Sequence, residues 1–137
     1  MFFCFFIFSC KVSVDDNDLD KKRIENVCDK IMRKFSEGRY IQSMEILNQN
    51  SVMDSSSINS LKETITEQMT NVFPDFGKMK TYDFVKEIKI KDFIIKRYYI
   101  LKFEKYFLSF EFVLYKANAD WTITSFKYNT DIDAVIK

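Results

Sequence analysis

The chain contains no histidine, two glycines, one proline and three cysteines, and each scarcity removes a class of chemistry. Without histidine it lacks the side chain that titrates near neutrality and the commonest metal ligand. Gly38 and Gly77 are isolated in sequence, so there is no glycine-rich loop to cradle phosphates. No Cys/His cluster is available for zinc. Basic and acidic residues number 21 and 20, a net charge of +1, which creates no global field to attract nucleic acid or anionic lipid. No cofactor, metal or nucleic-acid partner is expected.

Aromatic residues are abundant. Fifteen Phe and seven Tyr contribute to 47% hydrophobic content over 137 residues, enough for one self-sufficient core and too short a chain for two. The segment from Thr81 to Asp131 concentrates these residues, with aromatic and β-branched positions alternating with charge.

The first ten residues, MFFCFFIFSC, are apolar but far short of the roughly 20 residues a spanning helix requires. Ile7, Phe8 and Ser9 before Cys10 resemble the end of a bacterial lipoprotein signal peptide, an aliphatic, a variable and a small residue preceding the modified cysteine. The resemblance implies cleavage after Ser9 and lipidation of Cys10. The rival expectation is a buried amino-terminal strand, since Phe and Ile favour strands. Residues 11–18, KVSVDDND, read as an acidic tether leading into a domain over 19–137. The alternating Asp and Asn oxygens there do not make an EF-hand, which needs a Gly at its turn. Once Cys4 and Cys10 are set aside, Cys28 has no disulfide partner. It lies on an apolar helix stripe in a chain with no histidine to activate it, so it reads as a small core hydrophobe.

Ile24, Val27, Cys28, Ile31, Met32 and Phe35 recur at helical spacing, predicting an amphipathic helix from about Leu19 to Ser36, capped by Asp18 or Asp20. Its basic residues alternate with acidic ones and read as a solvated face. Gly38 ends it. A second helix over Tyr40–Leu47 presents Tyr40, Ile41, Met44 and Leu47. A third begins at a cap among Asp54 to Ser57, buries Ile58, Leu61, Ile65, Met69 and Val72, and stops at Pro74 and Gly77. Four strands follow over about 81–91, 93–103, 107–116 and 121–129, joined by short turns as an antiparallel meander. In the first, Tyr82, Phe84, Ile88 and Ile90 form one apolar face. In the third, Glu111 and Ser109 point away from Phe110 and Phe112, into water.

This order of elements resembles the NTF2-like (cystatin-like) α+β superfamily. FSEGRYIQSMEIL over 35–47, FGKMKTYDFVKEIKI over 76–90 and WTITSFKY over 121–128 are similar to the helix junction, first strand and last strand of its small bacterial envelope members. The resemblance implies three helices packed on a curved four-stranded sheet, forming a cone whose open end can hold a small apolar ligand. It also implies dimers or protein partners through the sheet face, where Phe93, Tyr99 and Phe103 are expected along one side of the second strand. Catalytic relatives place a carboxylate in the cone with Tyr or His. The candidates here are Asp83, Glu104 or Glu111 with Tyr98, Tyr99 or Tyr128, none of which aligns with a catalytic motif. The expectation is therefore a non-enzymatic protein, lipid-anchored in the bacterial envelope, that binds a small apolar ligand or another protein. Two alternatives stand beside it: a small lyase or isomerase with a buried carboxylate, and a cytoplasmic interaction or immunity-type protein lacking a signal.

Overall fold

A computed structural model describes residues 4–136, with side chains over 19–133 and at Val135. The chain is α+β: helices α1 (Cys4–Ser36), α2 (Tyr40–Gln49) and α3 (Ser55–Asn71), then strands β1 (Met79–Ile90), β2 (Ile94–Phe103), β3 (Phe107–Lys116) and β4 (Trp121–Asn129), then a one-turn helix α4 (Asp133–Ile136). The strands form one antiparallel meander in the order β1-β2-β3-β4. The expected fold class and all four strands are present.

The amino-terminal expectations fare unevenly. The backbone over 4–18 is helical and part of α1, so no strand forms at 4–10 and the first helix starts earlier than its apolar stripe suggests. Residues 1–3 and the Cys10 side chain lie outside the description, and the expected lipidation with them. Asp20 does not cap the helix. Its carboxylate instead accepts the Trp121 amide at 2.7 Å and the Arg23 guanidinium at 3.0 Å, tying α1 to the start of β4. These donors outweigh the cost of partial burial and hold the Asp20 pKa below its ordinary value.

One face of the sheet receives the helices. Ile24, Cys28, Ile31, Met32 and Phe35 of α1, Met44 and Leu47 of α2, and Ile58 and Ile65 of α3 are buried against Tyr99, Leu101, Phe110, Phe112, Leu114 and Phe126. Ile41 and Val72, expected in those stripes, are exposed. Ser43 is buried between α1 and α2 and is satisfied by donating to the Ile31 carbonyl at 2.9 Å. Asp54 caps α3 as expected, accepting the Ser57 amide at 2.7 Å.

The opposite face is only half open. Ser109 donates to the Asp131 carbonyl at 2.7 Å, and Val135 is buried, so the carboxy-terminal segment covers Tyr98, Ser109 and Glu111. Glu111 does point away from Phe110 and Phe112, but it is 9% exposed rather than solvated. Strand alternation chose its face correctly and could not foresee the cover.

β1 departs from simple alternation. Its pairing shifts between Phe84 and Lys86, a bulge that inserts one residue and exchanges the two faces beyond it. Tyr82 and Phe84 share the helix side with Tyr99, while Ile88 and Ile90 turn to the other side and Glu87 turns inward opposite Arg97. The expected single apolar face of β1 is therefore broken in the middle.

Gly77 joins the helices to the sheet with φ +86° and ψ −166°, a region essentially restricted to glycine. An added Cβ would lie 2.8 Å from Glu104 Cβ. At Gly38, also at positive φ, an added Cβ would meet nothing within 4 Å. Gly77→Ala should therefore cost about 1–3 kcal/mol and more than Gly38→Ala, as measured by urea denaturation of the two variants.

Candidate functional site

The largest concentration of ionisable groups lies where α1 crosses β1 and β2. On α1, Lys21, Glu25 and Asp29 recur at four-residue intervals and share one side of the helix. The β1 bulge brings Glu87 to the same side, and β2 contributes Arg97 and Tyr99. Arg97 is 7% exposed and lies 2.6 Å from Glu87, 3.4 Å from Glu25 and 3.7 Å from Asp29. Two of its nitrogens also donate to the Tyr99 hydroxyl at 3.2 and 3.1 Å. That hydroxyl in turn donates to Asp29 at 2.5 Å. Lys21 closes the network on Glu87 at 3.0 Å and Glu25 at 3.5 Å. The Phe84 ring lies 4.3 Å from the guanidinium carbon, covering its planar face.

The electrostatics follow from these contacts. Burial opposes ionisation of Glu87, but hydrogen bonds from Lys21 and Arg97 outweigh it and lower its pKa. Burial also opposes the charge on Lys21, and Glu87 with Glu25 reverses the balance and raises its pKa. For Tyr99, burial and the bond to Asp29 both raise the pKa. Its phenol therefore stays protonated and acts as a donor. Cys28 lies beside this network, and burial pushes its thiol up to about 12, so it is inert as a nucleophile.

The expected acid/base candidates are dispersed. Asp83 is exposed and paired with Lys102 at 2.9 Å. Glu104 sits in the β2–β3 turn and accepts the Lys78 amide at 2.7 Å. Tyr128 donates to Gln68 across the core, and burial pushes its phenol up to about 12. Tyr99 belongs to the helix side with Asp29, and Phe103 is buried there too, so neither lines an exposed sheet face. Only Tyr98 and Glu111 come together, directly opposed across β2 and β3. Burial and the bond to Glu111 raise the Tyr98 pKa, and Lys127 lies 3.4 Å from the carboxylate. The cavity beside them, lined also by Ser109, Asn129 and Val135, measures about 20 Å³. That is room for about one water, far below the ~300 Å³ of a small ligand site.

The expected cone interior is occupied by the chain itself. Phe35 meets Phe110 edge-on at 5.2 Å, Phe110 stacks on Tyr128 at 5.3 Å, and Phe112 lies 5.0 Å from Phe126. Among the described residues no group of three or more metal-ligating side chains converges, and no helix is long and apolar enough to cross a membrane.

Sequence reading missed the Arg97 network. A partial signal was present: Lys21, Glu25 and Asp29 mark one helix side, and Arg97 interrupts the alternation of Ile95, Tyr99 and Leu101. Glu87 gave none, because the bulge that turns it inward leaves no mark in hydrophobic periodicity. No protein-family model, curated protein or solved structure matches the chain.

The network predicts both a variant effect and a pH dependence. Arg97→Met leaves three carboxylates without their shared cation and should cost about 2–4 kcal/mol, below the ~3–5 of a fully buried pair because the carboxylates keep some water contact. A carboxylate whose folded pKa is lowered stabilises the fold fully above its ordinary value and loses that contribution as pH falls through the lower folded value. For Glu87 the ordinary value is 4.5, so the loss lies in the acid range below it. Urea midpoints followed from neutrality to about pH 3 should fall more steeply for the wild type than for Glu87→Gln.

Proposed function

We propose that the chain is a non-enzymatic, lipid-anchored protein of the bacterial envelope, in which one NTF2-like domain presents surfaces to a protein partner. The observation that carries this reading is the filling of the space between helices and sheet by Phe35, Phe110, Phe112, Phe126 and Tyr128. A domain that fills its cone with its own aromatic rings has given up the volume a small apolar ligand or a substrate would need. The dispersal of the acid/base candidates supports the same reading. Each carboxylate considered is committed to a lysine, a backbone amide or a phenol, and the sole pairing adjoins a water-sized cavity.

The partner surface is the free edge of β1. Phe84 and Val85 are 47% and 38% exposed there, and an edge strand offers unpaired backbone groups to a further strand. The envelope address rests on Ile7, Phe8, Ser9 and Cys10 and on the acidic spacer that follows.

Mass spectrometry of the protein purified from its own membranes tests the reading. The expected result is a chain beginning at an acylated Cys10, with no small molecule retained under native conditions and release of a Cys10→Ala variant. An unmodified Met1, or a stoichiometric apolar ligand, would contradict it.

A further inference from the structure

The outer face of the sheet, away from the helices, carries a cover made by the chain itself. After β4 the backbone turns back over it through short local bonds. The Asn129 side-chain carbonyl accepts the Asp131 amide at 2.8 Å, the Asp131 carboxylate accepts the Asp133 amide at 2.9 Å, and the Val135 amide donates to the Ile132 carbonyl at 2.9 Å. One bond ties the segment to the sheet: the Ser109 hydroxyl donates to the Asp131 carbonyl at 2.7 Å. Val135 is buried beside Tyr98, Ser109 and Glu111, which are buried too. Strand alternation places these three on the outer face, so their burial comes from the segment over 131–136, a strap across the sheet.

Two features indicate what this face takes. The first is charge. The strands turn Lys86, Lys96, Lys102 and Lys127 to the outer face, against Asp83 and Glu111. Lys102 pairs with Asp83 and Lys127 with Glu111, while Lys86 lies over the Tyr98 ring at 5.4 Å and Lys96 stands in register between Ile88 and Val113. The balance is positive among apolar rows, and the strap lying there, DIDAVI, combines acidic with aliphatic residues. The second feature is a light hold. α4 is a single turn, too short to be stable alone, so Val135 and the Ser109 bond must offset the ordering entropy of the whole strap. The strands beneath keep their own ladders, and a segment held in this way opens without unfolding the domain.

We propose that the outer face around Tyr98, Ser109 and Glu111 is a docking site for a peptide segment of acidic and aliphatic residues, with the chain's own 131–136 as its self-inhibiting occupant. A partner segment of that chemistry competes with the strap for the same slot, its aliphatic side chain replacing Val135 and its carboxylates meeting the lysines. The site is separate from the β1 edge and independent of the lipid anchor, so its failure would leave both untouched.

The test follows backbone amide shifts of the full chain, as wild type and as Val135→Asp, during addition of a synthetic peptide of residues 130–137, TDIDAVIK. Val135→Asp sets a carboxylate beside Glu111 and releases the strap. The peptide is expected to shift the Tyr98, Ser109, Glu111 and Lys127 amides of the variant, and to bind the wild type about tenfold more weakly because its own strap holds the site most of the time. A peptide with Val135→Asp, or with both Asp131→Asn and Asp133→Asn, should bind the variant several-fold less. Equal titration of the two proteins, no movement of those amides in the folded variant, or equal binding of the altered peptides would overturn the proposal. Hydrogen exchange on the wild type supplies a check that needs no variant. The Val135 amide should exchange through an opening that spares β3, and exchange of Val135 only together with the β3 amides would also overturn it.

Discussion

Arg97 is the residue around which the helix–sheet contact is arranged. A guanidinium on the inner side of an aromatic sheet is costly unless opposing charges surround it, and here they come from two directions. Glu25 and Asp29 reach it from α1, and Glu87 reaches it from the neighbouring strand. None of the three is supplied by β2 itself. The pairing therefore fixes the axial position and rotation of α1 over the sheet, a constraint that non-directional packing of Ile24, Cys28 and Ile31 leaves looser. The Tyr99 hydroxyl, which accepts from Arg97 and donates to Asp29, locks the phenol and the helix together.

The bulge in β1 is the structural condition for this arrangement. If the register of Phe84 with Tyr99 continued without a bulge, Glu87 would face away from Arg97 and Lys86, a like charge, would oppose the guanidinium. One insertion thus supplies the partly buried carboxylate and turns Ile90 to the face away from the helices. The two consequences link stability to surface: the feature that brings a carboxylate to Arg97 also exposes an apolar side chain on the other face.

Much of the fold was legible in sequence, and for identifiable reasons. The strand limits at Phe107–Lys116 and Trp121–Asn129 match because short turns and sharp aromatic alternation bound them. Gly38, Asp54 and Gly77 mark their breaks because each has a backbone role that few residues fill. The misses have equally physical sources. The covered state of Glu111 depends on a tertiary contact from residues beyond the last strand, which no local pattern encodes. The role of Asp20 is similar, since an acidic residue near the expected helix start has the same appearance whether it caps the helix or accepts an amide 101 residues away. Phe93, Tyr99 and Phe103 share one side of the second strand in the sequence pattern, but aromatic content alone does not say whether that side meets the helices, and Tyr99 and Phe103 are buried. The candidate carboxylates lie in the strands and their turns, whereas Asp29, which accepts from the Tyr99 phenol, lies on the amphipathic first helix among charges that sequence alone places in water.

Native-state hydrogen exchange on wild type and Arg97→Met tests the central claim most directly, residue by residue. If the guanidinium holds α1 to the sheet, amides over 21–36 lose protection in the variant before those of β2 and β3, which keep their own ladder. A uniform loss across helix and sheet, or unchanged protection in α1, would contradict the account and reduce Arg97 to one contributor among many.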